Sequence, residues 1–234
     1  MSTTLTGDRP RVRRGPVDLT ARWFLATQLR VALWFWGIAV VVSTIAVAIY
    51  ATVADVVERG VVQFGMQALV WLPMSFFIGT ALTSVPVQVA SGLTRRALAR
   101  GALVAAIGTG IGYGAAYAVL MSAERAVYGA FGWHWSVGVD GATPAAFLIA
   151  CATTFVASNV SGLLVGIVYL RGGGWWGTLT LPLTVGPVVA LTAMVATADA
   201  QLLFLLSGIG ILVAMLTAIA LDRLVRGAAV PPKK

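Results

Sequence analysis

Titratable side chains are scarce in this chain of 234 residues, and each shortage excludes a class of chemistry. Lysine occurs only at Lys233 and Lys234, so the Gly-x-x-x-x-Gly-Lys-Ser/Thr loop of many ATPases is absent. His134 is the single histidine, which excludes a His-Glu-x-x-His zinc site. Cys151 is the single cysteine, so no internal disulfide can form. We therefore expect no catalytic, metal or cofactor site in this polypeptide.

Charged residues are also missing from six long apolar runs that dominate the sequence. The runs are residues 31–53, 61–90, 102–121, 142–170, 175–196 and 202–221. Each has about 20 residues or more, which lets a helix cross a hydrocarbon core about 30 Å thick. The runs are continuous rather than alternating, which favours helices over a β-barrel. The sequence predicts an all-α integral membrane protein with a single six-helix domain over residues 18–226.

Basic residues gather on alternate sides of the predicted bundle. Fourteen of the sixteen lie before the first run, after the sixth, or in the loops that follow the second and fourth runs. The other loops hold only Arg59 and Arg125, together with several acidic residues. By the positive-inside rule, both termini are predicted to be cytoplasmic. Membrane topology therefore explains the net charge of +8, and nucleic acid is not an expected partner.

Both ends of the chain are polar and basic. Residues 1–17 contain Pro10 and Pro16 and are predicted to form a disordered cytoplasmic tail, and residues 227–234 form a second tail. Residues 18–30 are compatible with a helix that either lies in the membrane plane or extends the first span. Arginine far outnumbers lysine, and Ala, Gly and Val are abundant, which is typical of a GC-rich bacterium. We therefore expect a multi-pass protein of a bacterial plasma membrane.

Glycines recur at a spacing of four residues in two of the runs. The third run holds Gly-x-x-x-Gly twice, and the fourth run holds it once. The residues are Gly108, Gly110, Gly112 and Gly114 in the third run, and Gly162 and Gly166 in the fourth. This spacing places small residues above one another on a helix, so we expect close helix packing within the chain or between protomers.

Prolines fall inside two of the runs, and each removes a backbone donor from its helix. Pro73 and Pro86 lie in the second run, and Pro182 and Pro187 lie in the fifth. Each is a possible helix break, and the fifth run can be either bent or broken. A packed kink and a break that lines a cavity are both compatible with this pattern.

The loop between the second and third runs carries the most distinctive polar motif. It reads Gln88-Val-Ala-Ser-Gly-Leu-Thr-Arg-Arg-Ala-Leu-Ala-Arg-Gly101. Thr94 is predicted to cap a short helix that continues through Arg100 and stops at Gly101. Arg96 and Arg100 would share one face of that helix. The motif is either a basic loop that obeys the positive-inside rule or a short helix offered to a cytoplasmic partner.

Two segments resemble the small ABC-2-type permeases of bacterial ABC transporters. They are Ala90-Ser-Gly-Leu-Thr-Arg-Arg96 and Gly162…Gly166-Ile-Val-Tyr-Leu-Arg171-Gly-Gly. The number of spans, the cytoplasmic termini and the chain length also agree with that family. The resemblance implies a coupling helix that sits in a groove of a separate ATPase subunit. The coupling residues it implies are Thr94, Arg95, Arg96 and Arg100, with ATP and magnesium bound by the ATPase rather than by this chain.

The sequence as a whole favours the non-enzymatic membrane subunit of an ABC exporter. It would move a hydrophobic or amphipathic substrate by alternating access. Its partners would be the ATPase subunit, a second copy or a sibling permease, and the lipid bilayer. A non-transporting scaffold, sensor or immunity protein explains the topology equally well. A membrane enzyme acting on lipids is disfavoured, because the acidic cluster or histidines of metal-dependent headgroup chemistry are absent.

Overall fold

The computed structural model describes residues 15–53, 60–135, 143–195 and 198–226, and the regular elements in these ranges are all helical. In chain order they are α1 (Pro16–Val53), a 3₁₀ helix (Val62–Gly65), α2 (Met66–Ala90), α3 (Arg95–Phe131), α4 (Pro144–Leu179), α5 (Leu181–Thr184), α6 (Gly186–Val195) and α7 (Ala200–Arg226). Five are long and apolar enough to cross a membrane, namely α1, α2 with its 3₁₀ helix, α3, α4 and α7. The all-α prediction is confirmed, and helices of this kind indicate a multi-pass membrane protein.

α4 is the central helix of the bundle. Its residues 157–167 are all buried, and α2, α3 and α7 pack around it. The most apolar stretch of α4 is 72% buried, whereas none of the corresponding stretch of α1 is buried. α1 packs mainly on α3. α1 therefore lies at the edge of the bundle and α4 lies in its middle.

Two apolar clusters are stacked along the bundle. The arginine-end cluster includes Phe24, Phe77, Leu98, Leu164 and Leu221. The distal cluster includes Met66, Tyr117, Phe155, Leu191 and Leu203. α1 and α3 start at the arginine end, where the second turn of α3 lies against Thr20. α7 finishes there, and α4 reaches the same end at Arg171, whose Nη1 donates a hydrogen bond to the Leu224 carbonyl at 2.8 Å.

Several predicted helix boundaries are wrong. α1 is one uninterrupted helix from Pro16, so residues 18–30 extend the first span and Pro16 is not part of a disordered tail. Proline suits the first position of a helix, where its missing N–H has no intrahelical partner to lose. α3 continues to Phe131, so residues 122–131, expected in a loop, are helical. The predicted tails otherwise fall on residues 1–14 and 227–234, which lie outside the described residues.

The fifth predicted span, residues 175–196, is broken into short pieces. Gly173 has a φ of 70° and a ψ of −175° inside α4, and the helix stops again at Thr180 and Val185. Pro182 and Pro187 each stand second in the short helix that follows a stop. Proline cannot donate to the preceding turn, so it begins helices more readily than it continues them. The structure therefore has five long helices in its described residues instead of the six expected.

The two prolines of α2 behave differently from Pro182 and Pro187. α2 runs through Pro73 and Pro86 without interruption, so these two prolines do not break the helix. Pro73 is buried against the bundle. Packing by neighbouring helices stabilises α2 despite the two missing donors.

Candidate functional site

A tight turn joins α2 to the predicted coupling segment. Gly92 has a φ of 93°, a left-handed conformation that glycine adopts without strain. The Leu93 amide donates to the Gln88 carbonyl at 3.1 Å, and the Ser91 amide donates to the Val87 carbonyl at 3.0 Å. These bonds close the last turn of α2. They fix the direction in which the chain enters α3.

Thr94 caps α3, as the sequence predicts. Its hydroxyl oxygen accepts a hydrogen bond from the Ala97 amide at 3.3 Å. The predicted stop at Gly101 is wrong, because α3 continues from Arg95 to Phe131. A Cβ at Gly101 would lie 2.6 Å from the Cβ of Thr20, so this glycine is a contact with α1 and not a helix end. The segment is the start of a long helix and not a separate short one.

Residues 94–100, named here the arginine turn, have one buried side and one open side. Arg96 and Arg100 are exposed and lie one helical turn apart, and Arg95 is half-buried. Among the described residues, neither Arg96 nor Arg100 forms an ion pair. On the other side Ala97 and Leu98 are buried, and Leu98 belongs to the arginine-end cluster. The apolar side therefore anchors the turn while its cationic side stays available.

The start of α1 supports the arginine turn from the side. Phe24 is buried in the arginine-end cluster, and the Thr20 hydroxyl donates to the Pro16 carbonyl at 2.8 Å. Asp18 and Arg22 form an exposed ion pair at 3.1 Å, which leaves Arg22 neutralised. Contact between α1 and α3 thus holds the arginine turn in a single position on the bundle.

Two of the predicted packing glycines bring α3 against α4. A Cβ at Gly110 would lie 2.6 Å from the Cα of Val156, and a Cβ at Gly114 would lie 2.5 Å from the Cα of Ala152. Real side chains are not accommodated at such distances, so the two backbones are in direct contact. The Gly-x-x-x-Gly spacing places both contacts on one face of α3.

The remaining predicted glycines divide into two groups. Gly162 and Gly166 lie against α2, where an added Cβ would approach backbone carbonyl oxygens at 2.6 and 2.7 Å. A Cβ at Gly108 would meet only a leucine side chain of α1, at 3.4 Å, and one at Gly112 would meet nothing within 4 Å. Gly112 therefore makes no close helix contact with the described part of the chain. α4 is held between α2 and α3 by four glycines.

Sequence reasoning missed a buried carboxylate at the distal end of α3. Glu124 is only 6% exposed, and its Oε1 accepts hydrogen bonds from the Val61 and Val62 amides at 2.6 and 3.0 Å. Its Oε2 accepts one from Trp135 Nε1 at 3.1 Å, and the Arg125 guanidinium lies 5.4 Å from the Trp135 ring centre. Glu124 thus ties the approach to α2 and the segment after α3 to one helix. The helix-compatible sequence of residues 122–131 was the available signal.

Two buried amides also stand inside the bundle. Gln28 on α1 is 2% exposed, and neither its Nε2 nor its Oε1 has a hydrogen-bond partner in the described part of the chain. Asn159 on α4 donates through Nδ2 to the Ala106 carbonyl at 3.3 Å, while its Oδ1 has no partner there. Both amides are distant from the arginine turn in sequence. Asn159 lies in the contact between α4 and α3, and Gln28 is buried on α1.

The described residues contain no cluster of potential metal ligands. His134 is exposed, and no three His, Cys, Asp or Glu side chains within those ranges are placed to hold a metal ion. Cys151 is free and buried. The arginine turn is the candidate functional site, because its exposed cationic side stands on a buried apolar side. Thr94 caps it, and Arg95, Arg96 and Arg100 supply its charge. No protein-family model, no curated protein and no solved structure matches this chain.

Proposed function

We propose that this chain is the membrane subunit of an ABC-2-type exporter and that its arginine turn couples it to a separate ATPase subunit. The observation that carries the proposal is how the arginine turn packs on the bundle. Its exposed side is cationic, and its buried side is held by Leu98 and by the contact of Gly101 with α1. A surface that receives force from a partner needs both properties. The guanidinium groups would bind carboxylates or carbonyls of the ATPase through charge-assisted hydrogen bonds. ATP and magnesium would bind to that subunit.

Because α3 is continuous, it could transmit a movement of the arginine turn into the membrane. No break interrupts residues 95–131, so a force on the arginine turn would move the helix as one body. α3 contacts α1 through Gly101 and contacts α4 through Gly110 and Gly114. Closure of two ATPase subunits on ATP would then tilt these three helices together in each of two permease copies. Such tilting would alternate access between the two sides of the membrane.

The proposed topology has six passes and cytoplasmic termini in a bacterial plasma membrane. α4 reaches the arginine end at Arg171, whereas Leu191 of α6 and Leu203 of α7 lie in the distal cluster. Residues 174–195 connect these two ends and would form the fifth pass as a series of short helices. A hydrophobic or amphipathic substrate suits this topology, because the apolar runs contain no charged residue that could bind an ion.

The experiment is affinity purification of the tagged chain from its native membrane. Arg95→Glu with Arg96→Glu should abolish both co-purification of an ABC ATPase and substrate-stimulated ATP hydrolysis. Arg13→Glu with Arg14→Glu makes the same change of charge outside the described residues and should leave both intact. Full ATPase binding by the first variant would overturn the coupling role. Export driven by a proton gradient with the purified chain alone would overturn the exporter assignment as a whole.

A non-transporting scaffold, sensor or immunity protein is the second candidate. It is favoured by the dense packing of α4, whose residues 157–167 are all buried between helices. Alternating access requires helices that can separate, and four glycines hold α4 against both of its neighbours. Reconstitution with the co-purified ATPase distinguishes the two functions. Substrate-dependent hydrolysis supports the exporter, and a stable complex without such stimulation supports the scaffold.

A further inference from the structure

An apolar groove runs along the outside of the bundle between α3, α4 and α7. Its volume is about 290 Å³. The α3 wall is formed by Leu103, Ile107 and Ile111, and the α7 wall by Ile211, Met215 and Ala218. Thr153 is the one polar residue in the lining, and its hydroxyl donates to the Ile149 carbonyl of its own helix at 2.9 Å. The groove therefore offers its occupant an entirely apolar surface at membrane depth.

The α3 wall continues in line into the arginine turn. Arg100 precedes Leu103 by three residues, and Arg96 precedes Arg100 by four. Residues at these spacings share one face of a helix. Both guanidinium groups lack an ion-pair partner in the described ranges, so the arginine end of the groove carries two uncompensated positive charges.

The α7 wall ends differently. Asp222 follows Ala218 by four residues, and Arg226 follows Asp222 by four, so both continue the line of the groove. These two side chains form an ion pair with each other at 2.5 Å. The line of the α7 wall thus ends in a neutral pair, whereas the line of the α3 wall ends in two arginines without an ion pair in the described ranges.

The length of the groove matches one leaflet of a bilayer. The nine residues from Leu103 to Ile111 rise about 12 Å over eight steps, close to half of a hydrocarbon core about 30 Å thick. Arg100 and Arg96 begin about 5 and 10 Å beyond Leu103, which is the depth of lipid headgroups. Helical side chains also tilt toward the start of their helix, which directs both arginines to the membrane surface.

We propose that this groove binds an anionic diacyl phospholipid from the leaflet at the arginine end. One acyl chain would lie between the α3 and α7 walls. Its phosphate would accept hydrogen bonds from Arg96 and Arg100, because guanidinium groups match phosphate oxygens in bidentate geometry. A zwitterionic lipid binds more weakly, since its own cation repels the same arginines. The bound lipid joins α3 to α7, and this role does not depend on the ATPase.

The experiment uses the purified chain alone in a neutral detergent, with dioleoylphosphatidylglycerol or dioleoylphosphatidylcholine added. Phosphatidylglycerol should raise the unfolding temperature more than phosphatidylcholine does, and native mass spectrometry should show it retained on the chain. Arg96→Gln with Arg100→Gln should weaken phosphatidylglycerol binding by roughly tenfold or more, through loss of charge-assisted bonds. Arg22→Gln with Arg223→Gln removes two charges away from the groove line and should leave this binding intact.

Adjacent residues of α7 give a matched test of the apolar part. Met215 lines the groove and is 53% exposed, while Leu216 is 58% exposed and lies outside the lining. Met215→Trp should fill the groove and lower lipid retention, and Leu216→Trp should not. Equal effects of the two tryptophans, or equal stabilisation by both phospholipids, would overturn the proposal. Equal stabilisation by glycerol phosphate would also overturn it, because the chains would then contribute nothing. The lipid-binding experiments use the purified chain without the ATPase, so they test lipid binding separately from the coupling role.

Discussion

Single missing side chains determine how α3 and α4 meet. At Gly110 and Gly114 the two backbones are in contact, whereas Gly112 faces open space on the same helix. Glycines are normally unfavourable in a helix interior, so the two buried ones persist because packing outweighs that preference. The same residue type therefore has opposite roles two positions apart.

We predict opposite effects of alanine at these positions. Gly110→Ala and Gly114→Ala should each lower the free energy of unfolding by about 1–3 kcal/mol, because the added methyl group forces the helices apart. Gly112→Ala should be neutral or stabilising, since alanine favours the helix and meets no neighbour there. Thermal unfolding of the three variants in detergent measures the difference. Equal melting temperatures for all three would show that α3 and α4 do not touch through these residues.

Gln28 gives a prediction of the opposite sign. Its amide is buried, and no partner for either polar atom stands in the described chain, which costs about 1–3 kcal/mol of stability. Gln28→Met keeps a similar volume and removes both atoms, so it should raise the unfolding temperature. Gln67→Met is the control, because the Gln67 amide is bonded to Thr192 and Trp71 and its loss should not stabilise the protein. A lower unfolding temperature for Gln28→Met would mean that its amide is satisfied in the membrane.

At the scale of elements, apolar runs were enough to predict which segments are helical, and local signals were enough to predict the Thr94 cap. Helix ends were harder to predict. Gly101 has the composition of a stop, but contact with α1 keeps it helical. Glu124 looked like a loop residue because it is charged, yet three hydrogen-bond donors from distant segments satisfy it inside α3. Contacts with distant segments determine the conformation at Gly101 and Glu124, and such contacts cannot be predicted from the local sequence pattern.

The Glu124 hydrogen bonds should be visible in amide exchange. Glu124→Ala leaves the Val61 and Val62 amides without their acceptor, so their hydrogen exchange should speed up, with a loss of stability of about 1–3 kcal/mol. Arg125→Ala removes only the contact with Trp135 and should leave those two amides protected. Hydrogen–deuterium exchange with mass spectrometry resolves this peptide. Unchanged exchange in Glu124→Ala would show that other groups hold the approach to α2.

The break inside α4 depends on Gly173. Its φ of 70° with an extended ψ is a conformation that side chains strongly disfavour, whereas Gly174 has no positive φ and no close neighbour. Gly173→Ala should cost about 1–3 kcal/mol, and Gly174→Ala should cost little. Unfolding temperatures of the two variants provide the comparison. Equal stability would mean that the chain can pass residue 173 as a regular helix.

At the scale of the whole molecule, the number of membrane passes depends on the side of the membrane on which each connection between helices lies. In a Cys151→Ser background, cysteines at Ser91 and Gly174 should react with a membrane-impermeant reagent from one side. Cysteines at Ala130 and Gln201 should react from the other, because residues 174–195 would carry the chain across. All four positions are exposed in the structure. Labelling of Gln201→Cys and Gly174→Cys from the same side would leave five passes and place the C-terminus opposite to the proposed side.

The marginal position of α1 has a consequence for biogenesis. α1 is synthesised before α3, but its packing surface belongs mainly to α3, which follows several dozen residues later. During that interval α1 has to persist as a lone helix in lipid, and its most apolar stretch, in which no residue is fully buried, suits it to that state. Its attachment then forms along the face that meets α3, from Thr20 and Phe24 to Phe35 and Trp36, whose rings lie against Tyr113 of α3. Assembly of this protein therefore has a late step, in which an early, independent helix is captured by the rest of the bundle.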